Sequence, residues 1–154
     1  MDEKLLKKAK LRAMHILERM DRSEASLREK LACDGYEDDI VAVAVDYVKS
    51  FGYINDENYA KRFVENNRKN KSALELYHKL IQKGISKDVA ENAVAEFTED
   101  EDAIKAIKNI LQKRHYDYIN ADEKEKKRQM TYLSSKGFMY DDIKKAMAFE
   151  DEIE

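Results

Sequence analysis

The sequence predicts an all-α protein: three tandem three-helix repeats stacked into an elongated, curved array. Three observations carry this reading. The 154 residues include no Pro, only 4 Gly and 40% charged residues, a composition that favours helices because Pro and Gly break them. Three segments, LACDGYEDDIVAVAV from Leu31, LIQKGISKDVAENAV from Leu80 and LSSKGFMYDDIKKAM from Leu133, superimpose on Gly35, Gly84 and Gly137. Leading into the first two, Leu27 and Leu31, then Leu76, Tyr77, Leu80 and Ile81, recur at helical spacing.

Within the aligned segments a Leu stands four residues before each Gly (Leu31, Leu80, Leu133) and a large apolar residue directly after it (Tyr36, Ile85, Phe138). An Ala follows nine residues after the Gly in all three (Ala44, Ala93, Ala146). The spacing predicts helix, left-handed glycine turn, helix, with the apolar residue folding back on the helix just completed. The shared Ala marks a close helix crossing.

The first repeat, residues 1–50, starts with a helix over Leu5–Met20 that places Leu6, Ala9, Ala13, Leu17 and Met20 on one face. Asp21 and Glu24 have capping-box spacing for the next helix. The second repeat, 51–99, is entered through GYINDEN, where Gly52 ends one helix and Asn55 caps Glu57–Asn67, with Ile54 stapling onto Tyr59. Ser86 is placed to cap the helix after Gly84. The third repeat, 100–150, opens with Ala103–Arg114, led by a capping-box pair at Thr98 and Glu101. An acidic tail, 151–154, follows. Repeats of this length stack because one unit alone cannot bury its apolar face.

The function classes narrow quickly. The longest apolar run, Ile40–Val45, has six residues, against about 20 for a membrane span. The first twenty residues carry charges throughout, unlike a signal peptide. The reading is a cytoplasmic, monomeric protein. The single Cys33 excludes an internal disulfide and reads as a small semi-buried hydrophobe. His15, His78 and His115 stand in different repeats with no metal-binding spacing, and no two glycines are close enough for a phosphate loop. Adjacent acids such as Asp38–Asp39 and Asp141–Asp142 open helices, where the helix dipole favours them. Tyr36, Tyr53 and Tyr59 read as core aromatics rather than base-stacking platforms. No catalytic residue, cofactor or metal site is expected, so the chain reads as a binder.

A net charge of −3 gives no global pull towards nucleic acid. Local windows differ. KRFVENNRKNK, from Lys61 to Lys71, holds five basic residues against one acid. Its helix sets Lys61 and Arg62 opposite Ala60, Phe63 and Val64, and if that helix continues Arg68 and Lys69 follow on the same side, with Lys71 beyond. Between Ala103 and His115, Lys105, Lys108, Lys113 and Arg114 stand without an acid; Lys105 and Lys108 point away from the stripe of Ile104, Ile107 and Leu111. Lys61, Arg62, Arg68, Lys69, Lys71, Lys105, Lys108 and Lys113 are therefore the candidate partner-binding residues, and Gly35, Gly52, Gly84, Gly137, Ala44, Ala93 and Ala146 the structural repeat positions.

RSEASLREKL (Arg22–Leu31), GYINDENYAKRFV (Gly52–Val64), LIQKGI (Leu80–Ile85) and SKGFMYDDIKKAM (Ser135–Met147) together resemble the bacterial RecX family, from about Ala9 to Ala148. The resemblance implies three tandem three-helix repeats and a non-enzymatic modulator of the RecA recombinase. Such a modulator binds the RecA filament on single-stranded DNA and blocks its extension or promotes its disassembly. It thereby lowers ATP hydrolysis, strand exchange and the SOS response; the mild acidity of the chain leaves room for weak direct DNA binding. Two positions depart from the family pattern: Ser26 stands where Glu is frequent, and NKSAL (Asn70–Leu74) replaces a Gly-containing turn.

Two rival readings are a tandem helix-turn-helix DNA reader and a generic helical scaffold similar in shape to tetratricopeptide arrays. The first needs Arg, Asn or Gln along the start of a recognition helix, whereas the second-segment helices begin EDDI, SKDV and YDDI. The second has shorter, two-helix repeats.

Overall fold

The computed structural model describes residues 1–96 and 100–148. Among them the chain forms α1 (Glu3–Arg19), α2 (Glu24–Cys33), α3 (Asp38–Ser50), α4 (Asp56–Asn67), α5 (Ala73–Gln82), α6 (Lys87–Ala95), α7 (Asp100–Lys113), α8 (Glu123–Ser135) and α9 (Tyr140–Met147). The fold is all-α, as the composition and the helical spacing predict. The Thr98 half of the proposed capping box and the tail 151–154 lie outside the described residues. Two compact units are present: Met1–Arg62 with Leu80–Ala90, and Phe63–Lys79 with Glu91–Glu154. The middle three-helix stretch contributes residues to both.

The glycine turns explain why three distant segments look alike. Gly35, Gly84 and Gly137 have φ of 99°, 84° and 97°, a region where a Cβ is strained. In each turn the N–H of the following apolar residue donates to the carbonyl of the Leu four residues before the Gly: Tyr36 to Leu31 at 3.3 Å, Ile85 to Leu80 at 3.1 Å and Phe138 to Leu133 at 3.2 Å. This is the Schellman closure, which satisfies carbonyls a helix end would otherwise leave open. Leu31, Leu80 and Leu133 are completely buried. α3 ends the same way at Gly52, with Tyr53 donating to Val48 at 3.1 Å. α7 does too, with His115 at φ 58° in the glycine's place and Tyr116 donating to Leu111 at 3.0 Å.

In the first unit α3 packs on α1 and α2. Ala9 and Ala13 of α1 and Ala44 of α3 are fully buried, so side chains without bulk stand where the helices meet. Leu27, Leu31, Ile40, Val41, Val45, Val48 and Ile54 fill the rest of this core. Met20, placed by periodicity on the buried face of α1, is 61% exposed, because the helix ends at Arg19. In the second unit α9 packs on α7 and α8, burying Ala106, Ile107, Leu111, Leu133, Phe138, Ile143 and Ala146. Ala93 is buried like Ala44 and Ala146.

The caps agree with the sequence reading in two places and correct it in one. Asn55 accepts from the N–H of Asn58 at 3.1 Å and Ser86 from that of Val89 at 3.4 Å. The cap of α2, however, is Ser23, which accepts from the N–H of Ser26 at 3.1 Å; Asp21 instead forms an ion pair with Arg62. The reason is that the hydroxyl is buried and also donates, to the carbonyl of Lys83 at 2.7 Å, which a carboxylate cannot do. In the second unit Ser72 repeats the arrangement. It accepts from the N–H of Glu75 at 3.1 Å and donates to the carbonyl of Lys136 at 2.6 Å. The NKSAL departure is thus a Ser-capped turn that needs no glycine.

Candidate partner-binding surface

α7 carries three of the candidate lysines, Lys105, Lys108 and Lys113. Asp102, Lys105, Asn109, Gln112 and Lys113 share its outward side with Lys108, while Ala106, Ile107 and Leu111 are buried beneath. Its orientation is fixed by Arg114, whose Nε donates to Gln129 Oε1 on α8 at 2.7 Å and whose guanidinium stacks 3.7 Å above the Tyr132 ring. Gln129 is fully buried and passes the connection on, donating from Nε2 to Glu125 at 2.7 Å. The Glu125 carboxyl is held below its ordinary value by Arg128 first and Gln129 second. Arg114 is therefore committed to packing within the second unit.

The loop after α4 lies against this helix. Arg68 donates to Asp102 Oδ2 at 2.7 Å, and Asn109 Nδ2 donates to the Lys69 carbonyl at 3.1 Å. With its side-chain amide oriented to suit its neighbours, Asn70 accepts from Lys113 Nζ at 3.1 Å. These three contacts fall along one edge of α7; Lys69, Lys105 and Lys108 are all exposed. Lys69, Lys105, Lys108 and Lys113 are thus exposed residues of the second unit, and Arg68 ties the loop to α7.

The other candidates are placed differently. α4 stops at Asn67, whose side-chain amide donates to the Phe63 carbonyl at 2.8 Å, so Arg68 and Lys69 sit in a turn and do not extend the helical face of Lys61 and Arg62. Such a side-chain bond competes with helix continuation. Lys61 and Arg62 are exposed on α4 in the first unit, and Arg62 is engaged by Asp21. Lys71 is half-buried beside the Ser72 cap. Exposed ammonium groups of this kind attract anionic surfaces over roughly 10 Å at 0.1 M salt and offer no route to catalysis. Among the described residues no group of three or more His, Cys, Asp and Glu could hold a metal ion, and no helix is long and apolar enough to cross a membrane. Cys33 is exposed rather than semi-buried, because it lies in the last turn of α2 away from the core.

Comparison with known proteins decides the family. The RecX models for the first, second and third three-helix domains match residues 9–47, 55–94 and 100–147. The chain belongs to the RecX family. It is 30% identical over 142 residues to the regulatory protein RecX of Caldanaerobacter subterraneus, covering 92% of this chain and 70% of the relative. Against the regulatory protein RecX of Clostridioides difficile the identity is 32% over 155 residues, covering 96% of this chain and 70% of the relative. The chain spans 63% of the length of a Clostridium botulinum RecX and 90% of that of Vibrio parahaemolyticus. The crystal structure of RecX from Lactobacillus salivarius superposes with a TM-score of 0.75 at 22% identity, over 92% of this chain and 94% of that one, which supports the fold. The RecX family is one of regulatory proteins, not enzymes.

Proposed function

We propose that this RecX-family chain binds the RecA filament assembled on single-stranded DNA and restrains it, by blocking extension or by promoting disassembly. Its surface of Lys69, Lys105, Lys108 and Lys113 meets acids of RecA or the bound strand. It does so as a cytoplasmic monomer whose repeats span 1–50, 51–99 and 100–150. The observation that supports this most is the match to all three RecX domains in order along one chain. The exposure of these lysines on α7 and on the loop held against it supports the choice of surface. Direct reading of duplex DNA fits poorly, since α3 and α9 open with the acids Asp38–Asp39 and Asp141–Asp142, which repel phosphate.

Co-sedimentation tests the reading. The chain is mixed with single-stranded DNA, with RecA, or with both under filament-forming conditions. Pelleting that needs both components supports filament binding. Equal retention on DNA without RecA would replace it with a nucleic-acid-binding module.

A further inference from the structure

One cavity in the first unit plays no part in the proposal above. It measures about 320 Å³ and is lined by Arg12, His15, Ile16 and Arg19 of α1, Met20 and Arg22 of the following turn and Lys30 of α2. Four side chains with permanent positive charge and one imidazole converge on a space large enough for a small ligand. The sequence spacing explains the convergence: positions 12, 15, 16 and 19 form one helical stripe. The helix dipole accounts for Arg19 and Lys30, which stand in the last turns of α1 and α2, but not for Arg12, His15 or Arg22. One acid compensates locally, Asp34, which pairs with Arg12 at 2.8 Å.

Arg22 is anchored in the wall of the cavity. Nη1 donates to Ser26 Oγ at 3.1 Å, fixing the guanidinium. Several like charges around a common space describe a receptor for a multiply charged oxyanion. Guanidinium groups match the oxygens of a phosphate in pairs.

We propose that this cavity binds a phosphate group, from nucleic-acid backbone or from a free phosphate compound. The site is independent of the RecA reading, because it needs no filament to be observed.

The experiment uses the full chain and inorganic pyrophosphate, with sodium chloride at matched ionic strength as the control. The expected result is a rise in the thermal midpoint with pyrophosphate and a selective shift of the His15 imidazole signal, leaving His78 and His115 unmoved. Arg19→Gln combined with Lys30→Gln should weaken binding about tenfold or more, and these exposed and half-exposed positions leave the fold intact. Arg22→Gln should do the same, with the double variant as the guard against a folding defect at Ser26. Adding an oligothymidylate separates the sources. Loss of the pyrophosphate response assigns the site to backbone phosphate, and an unchanged response assigns it to free phosphate. No response beyond the salt control, or equal responses in wild type and variants, overturns the proposal.

Discussion

Ser23 Oγ lies 2.7 Å from the carbonyl oxygen of Lys83, sixty residues further along the chain. The same hydroxyl caps α2 through the N–H of Ser26. Ser72 and Lys136, 64 residues apart, form the equivalent pair at 2.6 Å in the second unit. Lys83 and Lys136 directly precede Gly84 and Gly137, so each serine at the start of one repeat's second helix is tied to the glycine turn of the following repeat. The series ends at α8, whose cap Asp122 has no hydroxyl to donate.

Replacing Ser23 or Ser72 by Ala should therefore cost more than an ordinary cap. Each change removes a cap and a hydrogen bond to a carbonyl, about 2 kcal/mol per site. Ser→Asp at either position keeps the cap but not the donor, and should be no better than Ala. Urea unfolding of the four variants checks this; an Asp variant as stable as wild type would show that the tether to the lysine carbonyl contributes nothing.

The glycines should separate into two classes. A Cβ at Gly35 meets nothing within 4 Å, so Gly35→Ala should cost only the left-handed strain, roughly 1–2 kcal/mol. At Gly84 the Cβ would overlap that of Ala25, and at Gly137 it would lie 2.7 Å from Ser72 Oγ and 3.2 Å from Leu74 Cβ. Gly84→Ala should cost about 3 kcal/mol or more, because strain and overpacking add. Equal losses at Gly35 and Gly84, measured by thermal or urea unfolding, would contradict the contact with Ala25.

These turns were legible in the sequence because their parts are local: a Leu, three residues, a Gly and an apolar residue suffice. The fifth turn, at His115, carried the same signal in Leu111 and Tyr116 but lacked the glycine that draws the eye. The tethers of Ser23 and Ser72 were not legible, since their partners are sixty or more residues away. The basic surface was half legible. Helical spacing set Lys105 and Lys108 outward, whereas the engagement of Arg62 by Asp21 and of Arg68 by Asp102 depends on chain segments far apart in sequence. Arg114 looked like its lysine neighbours until Gln129 and Tyr132 were brought to it.

Glu24 links stability to pH. Its carboxyl is held below the ordinary 4.5 first by the hydrogen bond from Lys49 and then by Arg28, against the opposing effect of burial; the contacts are 2.9 and 3.2 Å. A lowered folded pKa contributes stability that is complete above 4.5 and is lost as pH falls through the folded value. Glu24→Gln should remove about 1 kcal/mol at neutral pH and flatten the loss of stability below pH 4.5. Parallel acid-unfolding curves for wild type and Glu24→Gln would remove the argument.

Charge reversal can distinguish binding from folding. Lys69→Glu, Lys105→Glu and Lys108→Glu together should preserve helicity by circular dichroism and weaken filament retention about tenfold or more, with the remaining binding less salt-sensitive. Arg68→Glu should lower stability as well, because it places a carboxylate against Asp102. Undiminished retention by the triple variant would assign the contact to another face.

The most direct test of the central claim is ATP hydrolysis by RecA on single-stranded DNA, with this protein added substoichiometrically to preformed filaments. A progressive fall in rate is the predicted result, because a modulator acting on filament growth or disassembly affects many subunits per molecule bound. An unchanged rate, even at equal stoichiometry with RecA from the same organism, would contradict the account.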